Sequence, residues 1–210
     1  MKEAFKKILL VLCILAAGFC LVCCNDHEVI PGSINLEKKI FASNYLGLQF
    51  KMERNWVPYS LISIAKENGY NKDLMTIEDV NEMLDDSSRG KYLDFRASTD
   101  DNHHSVDINY QRFDLEKLGY GMEQFAIGMA DNMPEDLEKS QGITNGTASV
   151  RKVTIAEEEC YAVKFSGEFN TTKIYIEQIY ILRGDNMAII TIKSWREDKI
   201  DSIVKLFDEL

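Results

Sequence analysis

The chain opens on an apolar run, Ile8 to Cys24, that carries no charge and follows Lys2, Lys6 and Lys7. Beyond it the spacing of apolar positions alternates between two periods. Leu46, Leu48, Phe50 and Met52 fall on one face of an extended chain, which predicts a strand. Pro58 restricts the stretch around Trp56 to an edge or a short strand, because proline cannot donate to a ladder. Ser60 to Asn68 and Thr76 to Asp86 read as helices. In the second, Thr76 is placed to cap, Asp79 follows three later, and Ile77, Val80 and Leu84 recur at helical spacing. "SSRG" then breaks the pattern.

Period two returns in "KYLDFRAS" and "SVDINYQRF", joined by "TDDNHH", whose turn formers predict a hairpin tip. Met122, Phe125, Ala126, Met129, Met133 and Leu137 share one side of a helix, with Pro134 a place to kink it. Four strands follow: "TASVRKVTI", "CYAVKFSGEF", "KIYIEQIYILR" and "MAIITIKSW". The joints "AEEE", "NTT" and "GDN" are too short for parallel crossovers, so the strands are antiparallel hairpins. Ile189, Ile190 and Ile192 are apolar on both faces and mark a central, covered strand. Ile200, Ile203, Val204 and Phe207 make a final helical stripe. The sum is an α+β domain, an antiparallel sheet with helices packed on it. "NDHEVIPGS" is polar with a Pro-Gly break, and "INLEKKIFAS" offers one loose turn. The expected organisation is therefore a leader at 1–23, a tether at 24–43 and one domain at 44–210.

At 210 residues, 45% apolar and 28% charged, the chain can build a proper core. The net charge is −10; the leader contributes +2, so without it the body stands at −12. Such an acidic body repels phosphate backbones, and it shows no basic patch with interleaved aromatics, which argues against nucleic acid as a partner. Of five cysteines, Cys13, Cys20, Cys23 and Cys24 lie in or at the end of the leader, and only Cys160 lies in the body. A disulfide framework is therefore not expected. Cys160, among Glu157, Glu158 and Glu159, lacks the positive surroundings of a reactive thiol and reads as a small apolar filler in a strand.

A positive start followed by a short apolar run has the form of a secretory signal. Its end, "LVCC" (Leu21, Val22, Cys23, Cys24), resembles the lipobox of bacterial lipoproteins: Leu three before the modified cysteine and a small residue just before it. The resemblance implies cleavage before Cys24 and a diacylglycerol on its sulfur. It departs from the usual pattern in having Cys23 where Gly, Ala or Ser is commoner, so Cys23 is the competing lipidation site. Two acyl chains hold stably where one holds marginally. An uncleaved membrane helix is the alternative; either places the domain at the membrane, facing outside the cytoplasm.

The body, from "NYLGLQFKMERNWVPYS" to the closing "AIITIKSW" and its acidic-started helix with Phe207, resembles a group of uncharacterised clostridial-type lipoproteins. Through them it is similar to the PsbP/Mog1-like α/β/α sandwich. The resemblance lies in element order and aromatic placement, and implies an accessory or binding protein rather than an enzyme. Gly47 and Trp56 read as turn and core.

Candidate chemistry is sparse. His27 lies in the tether; His103 and His104 are adjacent, beside Asp100, Asp101 and Asp107, and could meet at one metal ion only on a turn. No HxxxH or HExxH spacing supports that, so a solvated hairpin tip is expected and no metal or cofactor is assigned. Asp85-Asp86 and Glu157 to Glu159 are the adjacent carboxylates; no GxSxG, Walker A or GxGxxG motif occurs. On one strand, Tyr175 shares a face with Glu177 and Tyr180 with Gln178; on an open sheet face such tyrosines bind a peptide or sugar, under helices they are core. The sequence thus points to a lipid-anchored binding or accessory protein, with a protein or glycan as ligand. The alternatives are a surface hydrolase using clustered carboxylates or the His103/His104 loop, and a structural envelope protein.

Overall fold

A computed structural model describes residues 28–210 except 72, 73, 87, 89, 115, 116 and 118. Cys13, Cys20, Cys23, Cys24 and His27 lie outside the described residues. The frame is a seven-stranded antiparallel sheet of β4 (Trp56–Pro58), β5 (Lys91–Thr99), β6 (His104–Arg112), β7 (Thr144–Ile155), β8 (Glu158–Phe169), β9 (Thr172–Arg183) and β10 (Asn186–Trp195), in the order β4-β5-β6-β10-β9-β8-β7. The short joints act as the sequence predicts. Ala156 and Glu157 link β7 to β8, Asn170 and Thr171 link β8 to β9, and all four have positive φ, between 46° and 66°. Two successive residues of that kind make the turn whose twist matches a right-twisted hairpin. β10 is the middle strand, and Met187, Ala188, Ile190 and Ile192 are buried on its two faces.

Alternation along the strands divides the core in two. On one face α3 (Met122–Gln141) lies over β7 and β8. Its Ala126, Ala130 and Met133 pack on Val163, Phe165, Ile174, Ile176 and Tyr180, and the helix ends at Gly142 in the left-handed conformation. On the other face sit α1 (Leu61–Glu67), α2 (Ile77–Asp85), α4 (Ile200–Val204) and a second, four-stranded antiparallel sheet of β1 (Ser33–Asn35), β2 (Ile40–Ser43), β3 (Leu48–Lys51) and β11 (Phe207–Glu209), ordered β1-β2-β3-β11. Its Phe41 stacks on Phe95 at 4.4 Å, and Phe50 meets Trp56 at 5.3 Å and Phe207 at 4.7 Å. Thr76 and Asp79 form a reciprocal capping box on α2, as their spacing predicts. This is the expected α+β fold, antiparallel strands with helices packed on them, with an added β layer on one face.

Two expectations change. The stretch 28–43, read as tether, belongs to the fold: Val29 and Phe41 are fully buried, and β2 pairs with β3 from Ile40↔Lys51 to Ser43↔Leu48. Pro31 and Gly32 break helix but do not oppose an extended strap. The closing helix is also shorter than its stripe suggests. α4 stops at Val204, and Phe207 sits on β11, paired with Phe50 of β3. Four apolar positions at helical spacing do not outweigh a ladder that satisfies the backbone of both strands. Gly47, with φ 70°, makes the turn between β2 and β3, and Trp56 is core, as read.

Candidate functional site

Beside α3, the face of the large sheet changes from apolar to polar. Register puts Arg96, Asp107, Thr191 and Gln178 in one row across β5, β6, β10 and β9, and Ser98, Ser105 and Lys193 in the next. Tyr59, Arg96, Ser98, Asn102, Ser105, Asp107 and Lys193 line an open depression of about 320 Å³. Arg96 donates a fork to Asp107, Nε to Oδ1 at 2.8 Å and Nη2 to Oδ2 at 3.3 Å, and its Nη1 lies 3.5 Å from Glu67. The guanidinium also stands 5.3 Å from the centre of the Tyr59 ring, a cation–π arrangement. The Ser98 hydroxyl donates to Asn102 at 3.3 Å. Lys193 has no ion-pair partner among the described residues. The site therefore offers one free cation, hydroxyls, an amide and an aromatic ring on a rigid sheet.

The residues singled out by sequence fall elsewhere or into structural roles. His103 and His104 do not converge. His103 Nδ1 is 2.9 Å from Asp101 Oδ2, while His104 Nδ1 is 3.0 Å from Ser194 Oγ. Burial holds the His104 imidazole below its usual pKa. Asp101 is pushed down to about 2, first by the Thr99 hydroxyl and then by the His103 backbone N–H, both of which donate to the ionised form. Among the described residues no three His, Cys, Asp or Glu side chains are grouped to hold a metal. The neighbouring carboxylates disperse onto separate cations: Asp85 to Arg112, Glu158 to Arg183, Glu159 to Lys152.

Glu177 is fully buried and takes both arms of Arg151 at 2.6 Å each; Arg151 also reaches Asp201 at 2.6 Å, so the cluster clamps α4 to β7 and β9. Tyr180 is buried under α3 against Phe125, with its hydroxyl donating to Gln178 at 2.9 Å. Tyr175 lines a smaller depression of about 270 Å³ with Asn145, Ser166 and Lys173. Cys160 is buried in β8, and burial pushes its thiol up to about 11, consistent with a filler. Asp94 is a second buried carboxylate. It accepts Gly32 N–H at 2.9 Å and the Tyr92 hydroxyl at 3.0 Å, and loss of water raises it to about 6 despite those bonds.

Tyr59, Arg96 and Lys193 were not singled out from sequence. One signal was present: Lys193 is the single charged residue of β10, at the row shared with Ser98 and Ser105.

No protein-family profile matches the chain, and no curated protein matches it in sequence. Among solved structures it is similar to the crystal structure of LpqN, involved in cell envelope biogenesis of Mycobacterium tuberculosis. The identity is 10%, 76% of each chain is covered, and the TM-score is 0.37. No described helix is long and apolar enough to cross a membrane.

Proposed function

We propose that this chain is an envelope lipoprotein, anchored through Cys24, whose polar half-face binds a hydroxyl-rich anionic ligand of the glycan class. One observation carries the ligand class: Lys193, without an ion-pair partner among the described residues, stands beside the forked Arg96–Asp107 pair and the Tyr59 ring on an open surface. A sugar ring has an apolar face for the aromatic and a rim of hydroxyls for fixed donors and acceptors; an acidic substituent would meet Lys193. The Arg96–Asp107 fork holds its donors in place before binding, so little ordering is needed on association. Asp107 is occupied by Arg96, which favours binding over acid–base chemistry on this face. The anchor rests on the "LVCC" motif behind a basic, apolar leader.

Titration of the detergent-solubilised protein with acidic and neutral oligosaccharides tests the site. Acidic chains are expected to bind more tightly, and Lys193→Ala to remove most of that preference, tenfold or more. Binding unchanged in both Lys193→Ala and Arg96→Ala would refute the site. For the anchor, Cys24→Ala is expected to abolish metabolic palmitate labelling and to release the protein from membranes; persistent labelling in that variant would move the modification to another residue.

A further inference from the structure

We infer that the apolar surface around the incoming N-terminal strap, formed by Ile30, Leu61, Leu74 and Ile77, rests on the lipid bilayer, so that the domain is seated on the membrane and not only tethered to it. The strap itself is fixed. Val29 exchanges two hydrogen bonds with Asn81 of α2, N–H to Oδ1 at 2.9 Å and Nδ2 to the Val29 carbonyl at 3.0 Å, and Gly32 N–H is held by Asp94. Around it stand four partly exposed apolar side chains. Ile30 is 43% exposed, Leu61 43%, Leu74 61% and Ile77 44%. The strap links them: Leu61 and Leu74 line a small cavity with Pro31 and Gly32, Ile30 directly precedes Pro31, and Ile77 lines a second depression with Glu28. Single exposed apolar side chains are ordinary, but a group gathered where the chain enters the fold is a contact surface.

The distance to the bilayer selects the occupant. This step rests on the reading that Cys24 is lipidated. From Cys24 to Glu28 is four residues, which span at most about 14 Å when fully extended. The tether is therefore too short to let the strap end of the domain leave the headgroup region. A surface held that close meets lipid at a high effective concentration, and even a weak apolar contact is then populated. Glu28, Glu78 and Glu82 rim the Ile77 end. They oppose anionic headgroups, so seating is favoured on zwitterionic lipid and weakened as anionic lipid is added.

The test uses the native lipidated protein in phosphatidylcholine vesicles, spin-labelled in turn at Ile30→Cys, Leu74→Cys and, on the other face of the large sheet, Ile127→Cys. Collisional accessibility to oxygen and to a water-soluble nickel chelate reports depth. Labels at 30 and 74 are expected to favour oxygen, the label at 127 the chelate, and Leu61→Lys with Leu74→Lys to return the label at 30 to water. Intact mass of the same preparation separates the two ways to fail. A diacylglyceryl-modified Cys24 with aqueous labels at 30 and 74 overturns the seating alone; an unmodified Cys24 overturns the anchor and the seating with it.

Discussion

Replacing Asp94 with Asn should alter how stability depends on pH, and in one direction only. The carboxyl is 4% exposed, and loss of hydration lifts it from the ordinary 3.8 to about 6. Between these values the native state holds a proton that the unfolded chain has released, so stability falls as pH rises through that interval. The gap corresponds to about 3 kcal/mol of stability, fully present well below pH 4 and lost by about pH 7. Asn keeps an oxygen for Gly32 N–H and for the Tyr92 hydroxyl, and adds an amide that needs an acceptor. The adjoining cavity of about 30 Å³ is large enough for one water to supply it. Urea unfolding of both proteins at pH 4, 5, 6 and 7 should show Asp94→Asn gaining on the parent by about 2 kcal/mol across the series, whatever its offset at pH 4. Taking the difference removes the opposite trend from depressed carboxylates such as Glu158 and Asp201, which both proteins share. A difference constant with pH would mean that Asp94 ionises as it does in water, and the account of its burial would be wrong.

Other substitutions test the packing. Arg151→Met leaves Glu177 buried without its cation and should cost about 3–5 kcal/mol in denaturant unfolding; adding Glu177→Leu should recover most of the loss. Phe95→Ala removes the ring stacked on Phe41 and should cost about 3–5 kcal/mol by the same measurement. Gly167→Ala would place a methyl 2.8 Å from both Ile143 and the Phe165 ring, and should lower the thermal midpoint through a strain of about 1–3 kcal/mol.

The large sheet was legible because its signals are local. Hairpin joints of two or three residues fix antiparallel neighbours, and the two-sided apolar run of β10 fixes the centre. The small sheet was not legible, because its strands are three or four residues long and β11 closes on β3 from the far end of the chain. No window of sequence contains that pairing. The strap was missed for a related reason: "NDHEVIPGS" is polar on average, yet Val29 is fully buried and held by Asn81 of α2, from a distant segment. The polar half-face is intermediate. Arg96, Ser98, Ser105 and Asp107 alternate as any solvent-facing strand positions do; only their register with Lys193 brings them together.

The pairing of β11 with β3 has a kinetic side. Glu209 meets Leu48 and Phe207 meets Phe50, so a ladder begun near the start of the described chain is completed by residues about 160 positions further on. A polypeptide emerging N-terminus first holds Phe50 without the Phe207 ring against it until β11 arrives. During that interval β3 has a free edge and an incomplete apolar layer, open to capture by other chains. Pairing of Phe207 to Glu209 with β3 is thus the latch that closes that interval.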